Sequence, residues 1–225
     1  MPRPATTALA VPVGLSLFSL GAAFGLVVVH AGLAWWWATV FTAVVYAGSL
    51  EFLLVGLAVA GAPLLQVAST TVIVNLRHVF YALSFPLDRV RGLPAKVYST
   101  YALTDEAYAV TAPNPREWTS RAILLVQAVF HIAWVSGATL GALAGSALPM
   151  ERVQGVDFAL TALFVVLAID AYRARPDRFV AFLAAGCAIV AWLVVPGQML
   201  VWAFLGYVLI LLGRLGIARR GGEHG

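Results

Sequence analysis

Charge is scarce in this chain, and so is cysteine. Of 225 residues only 11% are Asp, Glu, Lys or Arg, against about 25% in an ordinary soluble domain. Between Arg3 and Glu51 none occurs, and further uncharged gaps run from Phe52 to Leu76, Ala122 to Met150 and Phe179 to Gly213. No hydrophilic stretch is long enough for a soluble domain. Cys187, the single cysteine, has no partner for an internal disulfide and reads as a small core residue. Strand alternation is missing too, which argues against an outer-membrane barrel. There is no phosphate loop, no metal-ligand cluster at workable spacing, and no Ser/His/Asp or Cys/His arrangement. Those absences speak against ATP hydrolysis, a metal centre, a cofactor and an enzymatic role.

What is present is apolar: 62% of the residues are hydrophobic and the mean hydropathy is +0.92. An all-α integral membrane protein follows, because helices satisfy their own backbone in lipid. The whole chain, 1–225, is expected to form a single transmembrane transporter domain. A crossing takes about 20 apolar residues. The pattern predicts crossings at Ala8 to Val29, Trp35 to Ala60, Pro63 to Phe85, Ser120 to Ser146, Val156 to Tyr172, Arg178 to Val195 and Gly197 to Leu215. That makes seven transmembrane helices. The stretch "YSTYALTDEAYAVTA" from Tyr98 to Ala112 is too short and polar for a lipid-facing span and is expected as a re-entrant or cavity-lining helix. The first segment follows Arg3, but no small-residue site clearly closes a short apolar core, so signal-peptide removal is not expected.

The pI near 9.6 raises nucleic acid as a partner, yet the basic residues lie between apolar segments rather than in one patch. They read as topology signals. With the N-terminus outside and the short polar segment not crossing, Arg89, Arg91 and Lys96, then Arg173, Arg175 and Arg178, then Arg214, Arg219 and Arg220 all fall inside. Arg3 alone dissents. The expected topology is therefore an external N-terminus and an internal C-terminus, with Trp35, Trp36 and Trp37 as an interfacial anchor. Ala133, Gly137, Gly141 and Gly145 are spaced four apart, lining one helix face with small residues that let another backbone approach. Gly21 and Gly25 form a shorter version; neither motif names its partner helix.

Polar residues inside apolar runs carry the functional signal. At 100° per residue, Thr70, Thr71, Asn75, Arg77, His78, Tyr81 and Ser84 share one half of the third helix, while Val72, Ile73, Leu76, Val79, Phe80 and Leu83 share the other, with Val74 the exception. A charge at a helix centre costs about 2.5 to 3.5 kcal/mol on insertion, so Arg77 needs protein, a partner or water. A snorkelling Arg serving topology or a structural salt bridge is the alternative. Glu51, in "YAGSLEFLLVG", has small neighbours and is either a carboxylate that loads and releases a proton or a fixed partner of Arg77. Asp105 and Glu106 are a second acidic pair or the start of an interfacial helix capped by Thr104. Gln66, Gln127 and His131 read as groups that bridge helices.

The segments "GLSLFSLGAAFGLVV", "VVYAGSLEFLLVGL", "VNLRHVFYALSF", "YALTDEAYAV" and "GVDFALTALFVVL" stand in an order that resembles the AzlC family, the YgaZ/BrnF-like large subunits of branched-chain amino-acid exporters. The resemblance covers most of the chain, and "NLRH" with "TDE" is specific in combination. It implies export of valine, leucine and isoleucine, with methionine as a further candidate. It also implies the proton motive force as driver, a bacterial cytoplasmic membrane, and a small AzlD-type membrane subunit as partner. One departure is Glu51, where the family usually carries Gln, so a proton-coupling role there is not inherited. The chemistry of a zwitterion fits independently. Arg77 and Asn75 suit its carboxylate, Asp105, Glu106 or Glu51 its ammonium, and His78 with one acid a proton relay.

Overall fold

Helix α1 runs from Pro4 to His30 in the computed structural model, which describes residues 4–112, 114–147, 176–195 and 199–222 and isolated helical positions between 165 and 173. The expected crossing Val156 to Tyr172 lies mostly outside the described residues. No strand occurs among the described residues. The "HAGL" turn ends α1 by a specific mechanism. Gly32, at φ +83, lets its N–H reach the Val29 carbonyl at 2.9 Å while Leu33 N–H reaches Val28 at 3.2 Å, the paired bonds of a left-handed glycine C-cap.

The stretch Trp35 to Ala60 departs from the expected single crossing. Helix α2, Trp36–Val40, widens into a π-helical turn over Phe41–Val45 and stops at Tyr46. Tyr46 is the one described non-glycine residue at positive φ, +46. Helix α3 then starts afresh over Gly48–Val59, so Glu51 lies in a helix's first turn rather than deep in a continuous span. The left-handed residue is neither glycine nor proline, and Gly48 follows only as the first residue of α3. A left-handed residue with a side chain costs roughly 1 to 2 kcal/mol, which surrounding contacts must offset.

Helix α4, Leu64–Ala82, follows Pro63 and ends before Pro86. Its expected apolar half is turned outward, with Val72, Val79, Phe80 and Leu83 exposed, whereas Thr70 is buried and Asn75, Arg77, His78 and Tyr81 are half-covered. The polar stretch after it is two short helices instead of one: α5, Leu93–Tyr101, and α6, Asp105–Thr111. Thr104 separates them and caps α6, accepting from Ala107 N–H at 3.4 Å. Helix α7, Ser120–Ala147, matches its expected span. Helix α8, Arg178–Val194, is capped by Asp177, and α9, Met199–Gly222, runs past the expected end at Leu215.

The chain divides into two compact units, one taken from residues up to Ala62 and from Val74 to Ala162, the other from Pro63–Ile73 and from Leu163 onward. In the first, α1 packs along α7 over the most extensive helix pairing. The small-residue seams face each other across it. A Cβ on Gly137 would run into the Phe18 carbonyl and one on Gly141 into the Ala22 carbonyl, while Gly21 and Gly25 meet the Trp134 and Ala138 carbonyls. Gly145 faces Leu26, with 3.0 Å to its Cδ2. Phe24 fills the adjoining core, edge-on to Phe52 and stacked on Trp134. In the second unit α8 packs on α9 around an apolar groove that includes Cys187, Trp202 and Gly206.

Among the described residues two helical stretches are long and apolar enough to cross a membrane on their own, Ala10–His30 and Ser120–Ala147. Others fall short for visible reasons. The stretch from Trp36 to Val59 is cut at Tyr46, and α4 carries a polar half.

Candidate functional site

Arg77 is the centre of a polar cluster within the first unit. As the 3.6-residue period places Arg77 and Tyr81 one turn apart on α4, both reach the start of α6. The guanidinium forks onto Asp105: Nε donates to Oδ1 at 2.9 Å and Nη2 lies 2.8 Å from Oδ2. Nη2 also donates to Ser49 Oγ at 2.7 Å, at the start of α3. Tyr81 donates its hydroxyl to Asp105 Oδ1 at 2.8 Å, and its ring stacks on Tyr108 at 4.3 Å. Tyr108 in turn exchanges a hydrogen bond with Ser84. The cluster therefore ties α3, α4 and α6 together around one bidentate ion pair. Both side chains of that pair keep part of their surface open, 38% for Arg77 and 43% for Asp105.

The other expected site residues are placed differently. Asn75 lies beside this cluster in sequence, and its Oδ1 is buried without a hydrogen-bond partner among the described residues. His78 Nδ1 faces the Asn75 carbonyl at 3.2 Å, with its ring edge-on to Tyr81. Glu106 turns its carboxylate toward its own backbone N–H and the Thr104 hydroxyl rather than pairing with Arg77. Glu51 is wholly buried. Its expected alternative as a fixed partner of Arg77 is not what forms. Oε1 accepts from Ala47 N–H at 2.8 Å and Oε2 from the Trp134 indole at 2.9 Å. The carboxylate thus satisfies a backbone donor exposed by the helix break and locks α3 to α7.

A second polar group surrounds the break. Tyr101 donates to the Ala43 carbonyl at 2.6 Å, taking up a bond that the interrupted helix cannot make. Gln127 donates to the Ser99 and Ala102 carbonyls at 2.8 and 3.1 Å, tying α7 to the end of α5. That is the bridging role expected of it. Ser49, Trp134 and Tyr46 were not among the sequence candidates. Trp134 stands three residues after His131 on the same helix, and Ser49 two residues before Glu51, which are the only sequence signals for either. Nothing local marks Tyr46.

A helical chain with outward apolar faces and a polar ion-pair cluster inside one unit is built as a membrane protein, and the comparisons agree. The profile of the family described as AzlC protein matches residues 12–148. This chain belongs to the AzlC family. A Bacillus subtilis relative, named branched-chain amino acid transport protein AzlC, is 26% identical over 217 residues, covering 93% of this chain and 82% of its own. An uncharacterized membrane protein of Helicobacter pylori is 32% identical over 180 residues, 78% of each chain. The inner membrane protein YgaZ of Escherichia coli is 27% identical over 175 residues, 73% of this chain and 71% of its own. No solved structure matches.

Proposed function

We propose that this protein exports branched-chain amino acids, valine, leucine and isoleucine with methionine as a further candidate. In this reading it is the proton-driven large subunit of a two-component transporter with a small AzlD-type partner. The observation that carries the proposal is the Arg77–Asp105 fork. A zwitterion offers one carboxylate and one ammonium, so it can replace both halves of such a pair and leave neither charge without a partner. Its carboxylate takes the guanidinium fork from Asp105, and its ammonium takes Asp105 from Arg77. The unpartnered Asn75 oxygen and the Glu106 carboxylate are further acceptors for the ammonium. Aliphatic side chains then occupy apolar wall, as small-molecule sites require.

In this reading Glu51 and His78 serve proton coupling, and 1–225 acts as one transporter domain. It spans a bacterial cytoplasmic membrane seven times, with the N-terminus outside and the C-terminus inside. The named activity of the Bacillus subtilis relative supports the cargo. Purified chain with its small partner, in liposomes under an imposed pH gradient, is expected to move labelled valine. Flux that is independent of the gradient, or absent for every aliphatic amino acid in a panel, overturns the proposal. Arg77→Met separates it from a second reading, a non-transporting scaffold in which the ion pair is structural and holds α4 to α6. A transporter keeps its complex and loses flux; a scaffold loses assembly.

A further inference from the structure

The break between α2 and α3 surrounds one imidazole with aromatic rings. His131, at mid-length of α7, has the Tyr46 ring at 4.2 Å, the Tyr101 ring at 5.7 Å and the Tyr98 ring at 6.3 Å. Two elements contribute these rings: the break itself gives Tyr46, and α5 gives the other two. Tyr46 is only 5% exposed. Its hydroxyl and the His131 Nε2 are both buried without a hydrogen-bond partner among the described residues. Buried polar atoms are normally satisfied, so two unpaired ones on touching rings mark a place where a proton or a polar guest is accommodated.

The strained Tyr46 backbone points the same way. Its left-handed conformation is retained at a residue that could relieve it as glycine, and what it secures is the ring packed on His131. Tyrosine faces lie within reach of a positive imidazolium, which they attract through the ring quadrupole. The titratable groups facing the imidazole are thus Tyr46 from the break and Tyr98 and Tyr101 from α5. The Glu51 and Glu106 carboxylates bear on Tyr46 and not on the imidazole itself. The Thr42 carbonyl lies beside the ring.

We propose that His131 is a proton-binding site of this protein, with the buried Nε2 as the atom that takes the proton and the three tyrosine rings as the cage that holds the imidazolium. The proton adds to the Nε2 lone pair and leaves from it, and no other bond changes. As a step of proton-coupled transport the assignment rests on the function proposed above, but proton binding itself does not.

Two measurements keep them apart. In ¹⁵N-histidine-labelled full chain in nanodiscs, the His131 resonance is assigned by its loss in His131→Gln, or by a variant in which the other three histidines are Gln. It is expected to change protonation state between about pH 5 and pH 9. A ring held in one state across that range overturns the proposal. In liposomes, His131→Gln is expected to lose gradient-driven valine accumulation by at least about tenfold while equilibrium valine exchange stays within about threefold of wild type. Equal loss of both, or retained coupling, overturns the transport step. An imidazole that titrates in a wild-type protein that moves no amino acid supports the proton site and sinks the exporter.

Discussion

Gly141→Ala and Gly186→Ala are one chemical change with opposite expected signs. At Gly186 of α8 a new Cβ meets nothing within 4 Å, so only helix propensity acts, and alanine favours a helix interior over glycine by about 0.8 to 1 kcal/mol. At Gly141 the same methyl lands on the α1 backbone, against the Ala22 carbonyl, with Cα at 2.6 Å and the carbonyl carbon at 2.7 Å. A helix backbone cannot rotate out of the way as a side chain does. Restoring ordinary contact requires α1 to retreat by roughly 1 Å, and a gap of 0.5 to 1 Å forfeits about a quarter to a half of each dispersion contact along the seam. Overpacking costs about 1 to 3 kcal/mol, and the strain here falls on backbone, so we expect the upper end, about 3 kcal/mol. The propensity gain offsets about 1 kcal/mol of that. Gly141→Ala is therefore expected to destabilise by about 2 kcal/mol, with Gly186→Ala neutral to stabilising. Reversible denaturant unfolding in mixed micelles, followed by tryptophan fluorescence, measures both. Equal effects at the two sites, or a stabilised Gly141→Ala, refute the close approach of α1 and α7.

Trp134→Phe keeps the ring against Phe24 but removes the donor to Glu51, and a loss of about 1 to 3 kcal/mol is expected in the same unfolding assay. Adding Glu51→Gln should recover part of it, since the residual acceptor is then uncharged. Tyr101→Phe strips the Ala43 carbonyl of its donor and is expected to speed amide exchange around residues 43–47 without slowing it elsewhere. Arg77→Lys retains the charge but cannot reproduce the Nε and Nη2 fork on Asp105. If that fork reads a carboxylate, half-saturation for valine flux should rise by about tenfold or more with assembly unchanged.

The Arg77 cluster was half legible. An Arg on the polar half of an otherwise apolar helix announces that it meets protein, and the acids of "TDE" offered a partner. Which acid could not be read. Asp105 and Glu106 are adjacent, and the choice followed from where Thr104 capped α6 and turned one carboxylate toward α4 and the other back on its own turn. Glu51 was conspicuous for the same reason as Arg77, yet its partners are an indole 83 residues away and a backbone N–H that exists only because the helix breaks. Tyr46 left no trace, because the β-branched and aromatic run "VFTAVVY" carries no breaker, and a lone glycine such as Gly48 is tolerated within a helical pattern.

Helical character, apolar outward faces and the small-residue stripes belong to the sequence itself, since they depend on residue type and on a 3.6-residue period that needs no other segment. Which stripes meet, where a helix interrupts and which carboxylate receives a given cation are settled only by tertiary structure. Each depends on contacts between residues far apart in the chain. The cost of a left-handed tyrosine or a buried acid is offset by groups that local sequence cannot see: the Tyr101 hydroxyl on Ala43, the His131 ring under Tyr46 and the Trp134 indole on Glu51.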